Sequence, residues 1–568
     1  MTYFISGFVP TFFIVLLALV ASAETSPISE PPGALPNSRV DSLFSAWNRP
    51  DAPGCALGVI QNGKLVYQRG YGRANLEHDV AISPSTVFYI ASASKQFTAA
   101  SILLLAGQGK LSLDDSVNKY LPELPPYDPP VAIRHLIHHT SGIDDYLELF
   151  GLSGQRLDDV HSEEEILELL ARRKSLSFRP GEYFLYSNSG YFLLGVIVKR
   201  ASGKSLAQFA EEQIFKPLGM NHSQFHDSRT RLVKNRAQGY FSGKDGEFRN
   251  YLTQFDRVGD GGLMTTVEDL FRWDQALEQG TLAGKDFTAA LLAPGQLNNG
   301  QTLSYASGLM INPYHSLQTI SHGGSFIGFR SELLRFPEKR LSVICLCNHS
   351  AIDATKLAKS VAVLYLDQES SSIESPTPAS PVETVEQLSL SEIDLNAVFR
   401  EPTTGSIWRF SVVDGGLTAS VDGEAFGLKS TGSNRFRSLD APVDLDLEFQ
   451  RLSPGQPCVL QLSVEGQAPV RLDAVKATLL SPDQITEFAG NYHSPELQAV
   501  YQLFVHAEKL FLRVKNRSDV EAFPILPDLF RVEGKDLSFS RDSENRITGF
   551  VLNSGRIRSL RFTKEGAD

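Results

Sequence analysis

The chain reads as an α+β domain followed by two small β-rich domains. Three observations predict this. Strand-like runs sit near both ends of residues 40–368, with helix-like runs between them. The Ser/Pro-rich stretch Ser370–Pro381 then marks a linker over 369–387. Beyond it, strand patterns recur at an offset of about 90 residues, too long for a solenoid unit and right for two β-barrels.

Taken in order, the chain opens on the apolar run Phe12–Ala23, which ends in Ala21-Ser22-Ala23. Small residues at that spacing mark 1–23 as a signal peptide, with a mature start near Glu24 and a secreted or periplasmic destination. The run is too short for a membrane span. No Lys or Arg precedes it, so its basic flank is weak, and no cysteine stands near the cleavage site to carry a lipid.

The catalytic-sized unit, 40–368, starts with strands Cys55–Ile60 and Lys64–Gln68 around the turn Gln61-Asn62-Gly63. An extended run, Val87–Ala91, leads into Ser92-Ala93-Ser94-Lys95, and Phe97–Ala106 reads as a buried helix ending at Gly107. Serine and lysine three residues apart share a helix face. The amine can then take a hydroxyl proton that an isolated serine keeps at neutral pH. Ser92 would stand at a helix start, where N–H groups and the helix dipole favour negative charge. A second copy of the pattern, Ser116-Val117-Asn118-Lys119, lacks this setting and reads as a solvated turn.

Tyr186-Ser187-Asn188 follows the turn Arg179–Glu182 and precedes the buried run Phe192–Val198. It therefore lies on a loop between packed elements, where functional residues concentrate. His322-Gly323-Gly324 falls on the strand Gln318–Ser325, with further strands at Arg330–Phe336 and Arg340–Leu346. Its glycines leave room for a substrate backbone against the strand edge.

These three motifs, in this order, resemble those of the serine β-lactamase and DD-peptidase superfamily, on its class C and D-aminopeptidase-like side. Ile133–Ile143 and Gly261–Leu270 look like further segments of that family; in the second, Thr266 and Asp269 form a near-capping box. The resemblance implies an antiparallel sheet flanked by helices, then two barrels at 388–477 and 478–568. It implies Ser92 as nucleophile, with Lys95 as base or Tyr186 sharing that role, and Tyr186 as proton shuttle. It assigns substrate binding to Asn188, His322 and Gly324, and the oxyanion hole to the N–H groups of Ser92 and Ser325. It implies no metal or organic cofactor.

His322 stands where many relatives carry lysine, which implies weaker commitment to carboxylate-bearing substrates. A D-aminopeptidase or an esterase then fits best, acting on D-amino-acid peptides or small esters. The alternatives are a β-lactamase or DD-carboxypeptidase, and a non-catalytic penicillin-binding or sensory protein. The formal charge of -12, without any basic run, excludes nucleic acid as a partner and leaves a small molecule or peptide.

The pair His138-His139 has no carboxylate or thiol at zinc-ligand spacing, so packing and hydrogen bonding are expected of it. Four scattered cysteines, Cys55, Cys345, Cys347 and Cys458, do not make a disulfide scaffold. Buried free thiols are expected. By the resemblance the Cys55 strand neighbours that of Cys345 and Cys347, which leaves a bridge to either open in an oxidising compartment.

Overall fold

The computed structural model describes residues 37–366 and 397–566, apart from 157–158, 253–255, 315, 402–406, 414–415, 422–423, 433, 440–444, 451–457, 465–468 and 477–479. The signal peptide expected over 1–23 and the linker expected over 369–387 lie outside the described residues.

Six antiparallel strands form the main sheet. They are β1 (Cys55–Gln61), β2 (Lys64–Tyr71), β3 (Met310–Tyr314), β4 (Leu317–Phe326), β5 (Phe329–Phe336) and β6 (Leu341–Cys347), in spatial order β3-β4-β5-β6-β1-β2. The β1–β2 hairpin forms because Asn62 and Gly63 accept positive φ, 51° and 75°, which matches the twist of the flanking strands. Every residue of β1 but the last is buried, so this strand needs cover on both faces. Helix α1 (Ala354–Leu366) covers one face, where Leu57, Val59 and Val343 meet Ala358, Val361 and Tyr365. On the other face Ala56, Ile60 and Ile344 join the large helical core. Gly58 lets Val267 come close there: a Cβ would collide with the valine side chain.

Pairing of β1 with β6 sets Cys55 opposite Cys347, and those two form a disulfide. This corrects the expectation of free thiols. The choice between the two partners depends on strand register, since Cys345 stands opposite Leu57 instead. Cys345 stays a buried thiol whose pKa burial pushes up, so it remains protonated and inert. Cys458 is also a buried free thiol.

After residue 396, two closed eight-stranded barrels follow. The first runs from Ala397–Arg400 to Val470–Lys476 and the second from Gly490–Ser494 to Ile557–Lys564. The similar patterns seen in the sequence fall on the same ordinal strand of each: Gly416–Val421 and Lys509–Arg513 are third, Arg435–Ser438 and Leu529–Val532 fifth, Leu445–Gln450 and Lys535–Arg541 sixth.

The second barrel is locked to the helical part of the catalytic unit. Arg173 is buried between Asp144 and Glu496, 2.6 Å from each, and Tyr501 Oη donates to Leu152 O at 2.8 Å. Buried ion pairs of this kind tolerate no displacement of either partner, because separation leaves an uncompensated charge. No helix among the described residues is long and apolar enough to cross a membrane.

Candidate active site

The turn Ala91–Ser94 delivers Ser92 to the start of the helix Lys95–Gly107. Ala91 has φ 48°, a conformation that a residue with a side chain holds only when its surroundings enforce it. They do so here. Ser94 Oγ donates to Ala91 O at 2.6 Å and accepts from Leu263 N at 3.1 Å. Ser331 Oγ donates to Ile90 O at 2.8 Å.

Lys95 is buried one turn beyond Ser92. Its Nζ lies 3.1 Å from Ser92 Oγ, 2.9 Å from Asn188 Oδ1 and 2.7 Å from Asp260 O. Burial is the main cause that lowers its pKa to about 7; Arg556 and Arg257 lower it further, while Asp260 and Asp145 oppose. A neutral amine has two N–H groups and one lone pair. Asn188 and Asp260 can take the two donors, which aims the lone pair at the Ser92 hydroxyl.

Asn188 starts the helix Asn188–Ser202 and is held rigid. Both its main-chain N and its Nδ2 donate to Asp145 Oδ2, each at 2.8 Å. The Tyr186 ring lies 4.9 Å from Lys95 Nζ and packs 4.2 Å from the His139 ring. Burial raises the Tyr186 pKa and keeps the phenol protonated. Ser92 is near enough to moderate that rise, yet Tyr186 Oη makes no hydrogen bond of normal geometry. His139 accepts from Ser187 N at 3.1 Å, the packing and hydrogen-bonding role expected of it.

His322 faces the same cavity from β4. Its Nδ1 lies 2.7 Å from Gly323 O and its Nε2 3.1 Å from Tyr305 Oη. A carbonyl only accepts, so Nδ1 carries the proton and Nε2 accepts from Tyr305. Burial, with Lys95 nearby, holds the His322 pKa at about 4. The ring is therefore neutral at physiological pH and brings no fixed charge to the cavity.

Gly324 of this motif has a packing role beside the one expected from the sequence. A Cβ on Gly324 would collide with Ile90 O and Ser331 Oγ. Gly324 thus admits the serine-bearing turn against β4, and it also lines the cavity. Room for a substrate comes from the ladder, because β3 pairs with β4 only up to Ser321. Ser325 lies beyond that point and lines the cavity with Ser92.

The cavity encloses about 730 Å³ and brings together Ser92, Tyr186, Asn188, His322, Gly324 and Ser325. Lys95 sits beneath it. Ser116, in contrast, caps the short turn Val117–Lys119, and Lys119 pairs with Asp115 at the surface.

Several residues escaped the sequence reading. Arg257 pairs with Asp260 through two contacts of 3.0 and 3.1 Å, and Tyr146 Oη donates to Asp260 at 2.8 Å. Asp145 holds Asn188, and Tyr305 Oη hydrogen-bonds His322 Nε2. Arg556 enters from the second barrel, its guanidinium 4.8 Å from the Tyr186 ring centre. Gly259-Asp260-Gly261-Gly262 carried a local signal, an acid among glycines. Arg556 carried none.

Residues 40–365 match the Beta-lactamase family. That is more than half of the chain, which belongs to this family and so to the superfamily of serine β-lactamases and DD-peptidases. Penicillin-binding protein 4* of Bacillus subtilis (strain 168) is 33% identical over 303 residues, 51% of this chain and 67% of that protein. A D-aminopeptidase of Gluconobacter oxydans (strain 621H) is 29% identical over 339 residues, 59% of this chain and 64% of that one. The matches thus span about two thirds of each relative's length. The octameric penicillin-binding protein homologue from Pyrococcus abyssi superposes over 77% of this chain and 100% of its own, with a TM-score of 0.55 at 23% identity. That likeness shows a shared fold.

Proposed function

We propose that the protein is a serine hydrolase that cleaves an amide or ester through an acyl-enzyme on Ser92. One observation carries the reading: Lys95 Nζ is buried, lies 3.1 Å from Ser92 Oγ, and has its pKa lowered to about 7. A base poised near the working pH is what general-base catalysis requires.

The Ser92 proton passes to neutral Lys95 as Oγ bonds to the substrate carbonyl carbon. The N–H groups of Ser92 and Ser325 face the resulting oxyanion. The bond to the leaving group breaks, and that group takes a proton by way of Tyr186, whose raised pKa keeps a proton available to give. Water then attacks the ester carbonyl of the acyl-enzyme and gives a proton to Lys95, which returns it to Ser92 Oγ as the acyl bond breaks and the carboxylic acid is released. Lys95 rather than Tyr186 is the base in this scheme, since the amine is the group with a free lone pair near neutral pH.

The open edge of β4 suits an extended substrate, and the relative named D-aminopeptidase supports D-amino-acid amides and peptides as a class to test beside small esters. Specificity constants for p-nitrophenyl esters, D-alanine amide, a D-Ala-D-Ala peptide and nitrocefin decide among them. Esters and D-amides are expected to exceed nitrocefin. A specificity constant for nitrocefin above all others would instead assign a β-lactamase.

We also propose export, with a mature terminus near Glu24. The Cys55–Cys347 bond supports an oxidising compartment. N-terminal sequencing of protein recovered outside the cytoplasm should start within a few residues of Glu24. An intact Met1 there would refute cleavage.

A further inference from the structure

The chain is acidic overall, yet its cavity is not. Four basic side chains line it, Arg257, Arg330, Lys359 and Arg556, against two acidic ones, Asp260 and Asp353. The two carboxylates differ: Asp260 is buried and ion-paired, and Asp353 is exposed. Asp260 is held by Arg257 and Tyr146, and Asp353 accepts from Lys356 N at 2.8 Å. Cationic groups thus outnumber acidic ones at the cavity, although Arg257 is paired with Asp260 and Arg330 Nη1 donates to Ile327 O and Phe329 O.

Arg556 is the best placed of these. It sits at the tip of the hairpin between strands Ile547–Ser554 and Ile557–Lys564 of the second barrel. The tip is pinned by its backbone: Arg556 N donates to Glu148 Oε2 at 2.8 Å, Arg556 O accepts from Asp145 N at 3.4 Å, and Ser554 Oγ donates to Glu148. The guanidinium lies over the Tyr186 ring and is 44% exposed. Its Nη1 is 3.4 Å from Asp145 Oδ2, a long contact to an oxygen that already accepts twice from Asn188. A planar, always-charged fork, stacked on an aromatic ring and partly open, is built for bidentate contact with a carboxylate.

We infer that Arg556 binds a carboxylate carried on the acyl portion of the substrate, so that the second barrel sets specificity at Ser92. This rests on the serine-hydrolase reading and narrows its substrate class to acyl groups bearing an acid.

The test compares mono-p-nitrophenyl glutarate with p-nitrophenyl pentanoate, whose acyl chains have equal length and differ in the terminal carboxylate. The ratio of their kcat/KM values is measured at one pH for the wild type, Arg556→Gln and Arg556→Lys. Any effect of the substitution on Lys95 is common to both esters and cancels in the ratio. The ratio should favour the glutarate ester in the wild type, fall about tenfold or more in Arg556→Gln, and recover in part in Arg556→Lys. An unchanged ratio in Arg556→Gln, with both esters still hydrolysed, overturns the assignment and leaves the hydrolase reading intact. Where the wild type hydrolyses neither ester, that reading fails, and calorimetric binding of glutarate decides the anion site alone. Binding about tenfold weaker to Arg556→Gln supports it; equal or absent binding in both proteins refutes it.

Discussion

Ser92→Ala should abolish hydrolysis of every ester and amide the protein accepts, a loss on the order of 10^5- to 10^6-fold in kcat. Removing the nucleophile leaves only binding and the oxyanion donors, which do not form an acyl-enzyme. Ser116→Ala should retain full activity, because Ser116 caps a surface turn and its lysine neighbour is committed to Asp115. The comparison isolates context, since the two serines share the same four-residue pattern. Equal losses in two folded variants would contradict the assignment.

Lys95→Met should lower kcat by about 10^2- to 10^4-fold, the range supplied by a positioned general base. Methionine keeps the bulk but removes the lone pair and strands the acceptors of Asn188 and Asp260. The same residue sets the pH dependence. A free lysine titrates at 10.5, and burial lowers this one to about 7. The active form is the neutral amine, so kcat/KM for a p-nitrophenyl ester should plateau above pH 7. Below it the fall should approach tenfold per pH unit. A profile flat from pH 5 to 9, or a limb near pH 10, would show that Lys95 is not the base.

Much of this was legible from local pattern. Ser92 and Lys95 could be paired because one helical turn separates them, and Asn188 was found on the segment ahead of a buried run, although it opens the helix rather than lying on a loop. The barrels were visible as similar strands, and the structure shows why: each matching segment holds the same ordinal place in its barrel. What stayed hidden depends on register or on distant approach. Cys55 meets Cys347 rather than Cys345 only through the pairing of β1 with β6. Gly324 also has to clear Ile90 O, just ahead of the turn that carries Ser92, an approach that sequence reading could not place beside it. Arg556 is the extreme case. A lone arginine in a hairpin tip looks like any solvated turn until the barrel that carries it is docked on Glu148 and Asp145.

The acyl-enzyme itself can be trapped. Intact-protein mass spectrometry after treatment with a fluorophosphonate, followed by digestion, reads both the number of adducts and their position. One adduct on the peptide containing Ser92, absent from Ser92→Ala and present in Ser116→Ala, is the result expected. Turnover of an ester by a protein that takes no adduct at Ser92, or an adduct on another residue that abolishes turnover, would contradict it.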